Sequence, residues 1–191
     1  MFIRSVLSVL SVLLVCGGFL AASQAYADDQ GMRRVTVLDV AKPSVQQVNE
    51  ALFPPDILAM KKECAEMEKQ GLRCQNVIPK SSLDSVQVTF ARGSAELSKD
   101  AKDFLQAVGE SLKEHASDWK SVSIEGHTDS TGTDGINQVL SLRRAESVKA
   151  YLTANFGLSN IETVGSGSKR LRDPENPTAE VNRRIEFVTN W

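Results

Sequence analysis

The sequence predicts an α/β fold: a two-layer sandwich of order strand-helix-strand-helix-strand-strand, preceded by a short helical region. Three observations predict it. Apolar residues alternate at Val86-Val88-Phe90, Val122-Ile124 and Ile185-Phe187, as in half-buried strands. In two longer stretches, after Ser98 and from about Ile136 to Phe156, they recur three and four apart, as on one face of a helix. A sheet carrying both helices on one side buries both stripes at once.

The first 27 residues predict a cleaved export signal. Arg4 gives a positive start, Val6 to Ala22 is apolar apart from serines and glycines, and Ala25-Tyr26-Ala27 is a small-x-small cleavage site. Two rival readings exist. An uncleaved anchor would use the apolar run to span a bilayer. A lipoprotein would use Cys16, but Leu13-Leu14-Val15 puts a branched residue where a small one belongs. Residues 28–81 form an arm and a helical hairpin. Arg34–Val40 resembles a short strand, yet 28–43 is read as linker. A helix begins at Ser44 through Val45, Val48 and Leu52, and Pro54-Pro55 stops it. Asp56 caps a second helix bearing Ile57, Met60, Cys64 and Met67, which Gly71 ends. Cleavage removes Cys16, leaving Cys64 and Cys74, and an even pair in an exported chain predicts a disulfide worth roughly 2–4 kcal/mol. A metal pair is the alternative, but no histidine lies nearby to complete it.

The main domain runs over 82–191. Its first strand, through Val86, Val88 and Phe90, turns at Arg92-Gly93-Ser94. Ser98 caps the next helix, with Asp100 in the first turn and Phe104, Leu105, Val108 and Leu112 facing inward. A strand follows over Ser121–Gly126, then the helix that Gly157 ends, then strands over Ile161–Gly165 and Arg184–Thr189. Of the 22 basic residues Arg4 leaves with the leader, while all 24 acidic residues stay, so the mature charge is −3. That balance excludes a nucleic-acid partner.

The chemistry concentrates in 126–148. Asp129 lies in a Gly-rich loop after a strand. Arg144 stands four residues from both Leu140 and Val148, on or beside the buried stripe, while Arg143 turns about 100° away. A helical side chain leans toward its N-terminus, so Arg144 reaches toward the loop that carries Asp129. Two readings stay open on these residues: an ion pair tying loop to helix, or a socket in which Asp129 takes a ligand ammonium and Arg144 its carboxylate.

Residues 86 to about 189 resemble the C-terminal peptidoglycan-binding domain of the outer membrane protein A (OmpA-like) family. The motifs are Thr89-Phe90 with Gly93-Ser94-Ala95-Glu96-Leu97, Gly126-His127-Thr128-Asp129-Ser130-Thr131-Gly132, Asn137, Leu140-Ser141 with Arg144-Ala145 and Ser147-Val148, and Asn182-Arg183-Arg184-Ile185-Glu186. The resemblance implies non-covalent binding of meso-diaminopimelate in the wall's stem peptide, with Asp129 and Arg144 holding its zwitterionic end. Thr128 offers a hydroxyl in the same loop, and Asn137, Leu140 and Arg183 match family positions around the pocket. The expected protein is a non-catalytic, periplasmic wall binder of a Gram-negative envelope, with outer-membrane association and envelope partners for 28–80 as further options. It needs no cofactor or metal. His127 is assigned to ordering the loop, and the basic run Lys169, Arg170 and Arg172 to a solvated face or to further stem-peptide carboxylates. Two alternatives are an inner-membrane-anchored wall tether of a motor or secretion system, and a peptidoglycan amidase or carboxypeptidase. The latter lacks a nucleophile-base or zinc constellation.

Overall fold

Leu83, Phe187 and Ile124 stand side by side on three adjacent strands and turn to the same face, where the core forms. The computed structural model describes residues 33–74, 78–85, 87–88, 90–91 and 93–191, and the backbone of 24–27. The expected leader otherwise lies outside the described residues, as does Cys16. The elements are β1 (Gln24–Ala27), β2 (Arg33–Leu38), α1 (Val45–Leu52), α2 (Pro55–Lys69), β3 (Lys80–Ser85), α3 (Lys99–Glu114), β4 (Ser121–His127), α4 (Asp134–Phe156), β5 (Ile161–Gly167) and β6 (Ile185–Asn190). A short 3-10 turn, Glu180–Asn182, precedes β6. The strands form one sheet in the order β1-β2-β3-β6-β4-β5. This is the expected mixed α/β architecture.

Three details differ from expectation. The main domain's first strand is Lys80–Ser85 rather than the stretch through Val88 and Phe90 (Val86 lies outside the described residues). Its polar composition hides it, because Ser82 and Asp84 are buried on the face opposite the helices. Val88 and Phe90 are buried all the same, from coil rather than strand. The segment read as linker supplies β2, which pairs in parallel with β3 from Arg33↔Lys80 to Leu38↔Ser85. Asp56 is not a cap: α2 starts at Pro55, with Pro54 at the N-cap, and Asp56 pairs with Arg34 instead. Cys64 and Cys74 form the expected disulfide, their Cα atoms 5.1 Å apart.

Three of the four helices start at a side-chain cap, and that of α3 is the expected Ser98. Ser44 and Gln47 form a reciprocal capping box on α1. Ser98 accepts from the Ala101 amide at α3, and Thr133 from the Ile136 amide at α4. Phe104, Leu105, Val108 and Leu112 of α3 are fully buried, each large apolar side chain contributing about 1.5–3 kcal/mol. Two glycines set how closely α4 lies on the sheet. A Cβ on Gly126 would sit 2.1 Å from the Ser141 carbonyl oxygen, and one on Gly165 would sit 2.7 Å from that of Gln138. Their absent side chains let α4 rest against β4 and β5, which brings Arg144 beside the loop leaving β4.

Candidate ligand-binding site

The loop 128–133 between β4 and α4 is pinned from several sides. The Thr128 amide donates to the Gly167 carbonyl at 2.9 Å, and the Ser130 amide to the Pro177 carbonyl at 2.9 Å. Asp129 turns its carboxylate back on the loop, where Oδ1 accepts from the Thr131 amide at 3.0 Å and from the Thr131 hydroxyl. Asn137, one turn into α4, donates from Nδ2 to the Asp129 carbonyl at 3.3 Å. All six residues expected at the ligand site, Thr128, Asp129, Asn137, Leu140, Arg144 and Arg183, line one cavity of about 200 Å³.

Arg144 and Asp129 share this cavity, but their nearest partners are other groups. Arg183 Nη1 donates to Asp129 Oδ2 at 3.0 Å, while its Nη2 lies 2.9 Å from Glu180 Oε1. Arg144 is 1% exposed. It donates from Nε to the Ser94 carbonyl at 3.0 Å and from Nη2 to the Ala91 carbonyl at 3.4 Å, with its guanidinium 5.0 Å from the centre of the Phe90 ring. Its Nη1 and the Thr128 hydroxyl are buried with no hydrogen-bond partner among the described residues. A buried donor left unpaired costs about 1–3 kcal/mol, more when charged. Sequence reasoning missed the carbonyl and ring contacts that hold Arg144. They come from the coil after β3, where alternating Val86, Val88 and Phe90 read as a strand, although Gly93-Ser94 is within a recognised motif.

Electrostatics separates the two charges. Burial alone would raise the Asp129 carboxyl, but the Thr131 hydrogen bonds and the Arg183 guanidinium outweigh it and hold the group below the usual aspartate value. Arg144 is lowered from the usual arginine value by desolvation and then by the neighbouring Arg183 charge, against a smaller opposing pull from Asp129. The cavity therefore carries one carboxylate, paired with Arg183, and one guanidinium whose Nη1 has no hydrogen bond among the described residues.

The other polar candidates lie elsewhere. Asp84, Glu186 and Glu125 stand in one row across β3, β6 and β4, on the sheet face away from the helices. Arg33 bridges Glu186 at 2.9 Å and Glu125 at 3.0 Å, Arg170 reaches Glu125 at 2.8 Å, and Arg184 reaches Asp84 at 3.1 Å. Arg170 and Arg172 thus face the sheet's acids; neither lines the cavity. His127 is fully buried, with Nε2 3.5 Å from Glu186, and desolvation lowers its pKa. Glu125, His127 and Glu186 bring three potential ligand atoms within 4.8 Å of one another. Arginines already occupy both carboxylates, so the cluster reads as an internal charge network.

Fold and cavity together define a domain built on the OmpA-like plan. A family model of the OmpA family matches residues 89–184, and the chain belongs to that family. The outer-membrane lipoprotein YfiB of Pseudomonas aeruginosa is 33% identical over 138 residues, covering 71% of this chain and 80% of that one. The peptidoglycan-binding protein ArfA of Mycobacterium tuberculosis is 37% identical over 106 residues; the match covers 54% of this chain but 32% of ArfA. Among solved structures, the OmpA-like domain of FopA1 from Francisella tularensis aligns with a TM-score of 0.50 at 26% identity, covering 57% of this chain and 71% of that one. No helix among the described residues is long and apolar enough to cross a membrane.

Proposed function

We propose that this chain binds cell-wall peptidoglycan non-covalently in the periplasm of a Gram-negative envelope, gripping the zwitterionic end of meso-diaminopimelate in the stem peptide. Asp129 takes the ammonium. Arg144 takes the carboxylate, with the Thr128 hydroxyl beside it. One observation carries this reading: Arg144 is almost fully buried, its Nη1 has no hydrogen-bond partner among the described residues, and the residue lines a cavity that Asp129 also lines. Arg172 Nη1 also lacks a hydrogen bond, but it stands 3.7 Å from the Asp84 carboxylate and does not line that cavity, whereas Arg144 makes no ion pair among the described residues. A bound carboxylate supplies the missing acceptor, and charge-assisted geometry favours it over a neutral one. The family membership and the wall-binding name of ArfA support the same ligand.

Sedimentation with insoluble peptidoglycan tests the proposal. Asp129→Ala and Arg144→Ala are each expected to lose about 10- to 100-fold in affinity, as a charged hydrogen-bonding partner is worth about 1.5–3 kcal/mol. Both variants should keep the wild-type circular dichroism spectrum. Undiminished wall binding by both would overturn the reading. A stem peptide with diaminopimelate should bind and the same peptide with lysine in its place should not, since amide bonds take up lysine's α-groups there and its side chain ends in an ammonium alone.

A further inference from the structure

Beside the socket, α4 presents a second stripe to solvent. Ile136, Val139 and Arg143 are spaced three and four apart and so share one face. Ile136 is 62% exposed and Val139 50% exposed, which puts them among the three most exposed large apolar side chains of the described residues. With Gly93, Gly135 and Leu140 they line a shallow groove of about 380 Å³. The groove is continuous with the socket, since Gly93, Ile136 and Leu140 border both. Arg143, at its edge, is exposed and has no side-chain hydrogen bond or ion pair among the described residues.

We infer that this groove is a second subsite, taking the terminal alanine that follows diaminopimelate in an uncrosslinked stem peptide. The inference rests on the proposed socket. With the zwitterion held between Asp129 and Arg144, the alkyl chain of diaminopimelate leads outward past Leu140 and Ile136 to its second amino-acid centre. The residue joined there has the two features the groove matches: a small alkyl group for the Ile136–Val139 surface and a free carboxylate for Arg143. Apolar contact beside a single cation suits such a residue better than it suits a neutral sugar, which would leave Arg143 without a counter-charge. The two arginines of α4 then divide the work. Arg144, buried, recognises diaminopimelate, and Arg143, exposed, distinguishes which stem carries it.

Calorimetric titration of the full mature chain with three ligands tests this: free diaminopimelate, the tripeptide ending at diaminopimelate, and the tetrapeptide ending in alanine. Wild type should bind the tetrapeptide about fivefold more tightly than the tripeptide, the scale of one exposed ion pair with a methyl contact. Arg143→Gln should erase that preference, and Val139→Ser should reduce it, while neither alters the affinity for free diaminopimelate. Equal binding of the two peptides by wild type, or an intact preference in Arg143→Gln, overturns the subsite. So does equal weakening of both peptides by Arg143→Gln, which would assign the cation to a carboxylate they share. Failure of wild type to bind any of the three would instead remove the socket itself.

Discussion

Two clusters of charge, on opposite sides of the sheet, are solved in opposite ways. On the outer face, the acids Asp84, Glu186 and Glu125 stand in one row, and like charges on neighbouring strands repel. Arg33, Arg170 and Arg184 answer them at 2.8–3.1 Å. Ser82 donates to Glu186 as well. At the end of the sheet where α4 begins, Asp129 is held by Thr131 and Arg183, while Arg144 Nη1 has no hydrogen-bond partner among the described residues. The outer cluster keeps such atoms too, Arg172 Nη1 and Asp84 Oδ1 among them. What separates the two is space: Arg144 lines a cavity, and Arg172 does not.

Removing Glu186 should have the largest effect on stability. Glu186→Ala strips a shared partner from Arg33 and Arg170, and breaking a buried pair typically costs about 3–5 kcal/mol. A urea titration should show that loss, while the molecules that remain folded still bind the wall; loss of binding at unchanged stability would erase the division between brace and site. The next effect is a pH dependence of the brace. His127 has a folded pKa below its ordinary value of 6.5, chiefly through burial, so the unfolded chain takes up the proton first. Its contribution is complete above about pH 6.5 and falls as pH drops toward the folded value, by at most about 1.4 kcal/mol per pH unit. Glu186, held low despite burial by His127, Ser82 and the arginines, adds its own loss only below its ordinary value of 4.5. Asp84, raised by burial, works in the opposite sense. Melting temperatures between pH 7.5 and 5 should therefore fall in the wild type and less steeply in His127→Asn; parallel curves would show that His127 does not titrate there. The smallest effect belongs to an exposed pair outside both clusters. Arg34→Ala, which removes the contact with Asp56, should cost under about 1 kcal/mol in the same urea titration.

That Asp129 and Arg144 come to one cavity was readable from sequence because they are close along the chain. Asp129 and Arg144 belong to one strand-loop-helix unit, and helical periodicity alone puts Arg144 on the buried side. Arg183 is 54 positions from Asp129, and a family motif pointed to it where spacing would not have. The brace was not readable. Arg33 lies 92 residues from Glu125 and 153 from Glu186, and they meet only because β6 inserts between β3 and β4. Along each strand, these acids alternate with apolar residues just as solvent-facing groups would. The same ambiguity concealed β3, whose buried face is built of serine and aspartate. It also made β2 look like linker, since a strand added in parallel from the far side of two helices leaves no hairpin signal.

The disulfide has a narrower reach than its position suggests. Parallel pairing of β2 with β3 requires the chain to return from Leu38 to Lys80, and the Cys64–Cys74 bond shortens that covalent path from 42 residues to about 33. Loop-closure entropy grows only with the logarithm of length, so the shortcut eases strand pairing by about 0.2 kcal/mol. Nearly all of the bond's leverage falls on the small ring it closes at the end of α2. Reduction would slacken that ring and leave the sheet joined.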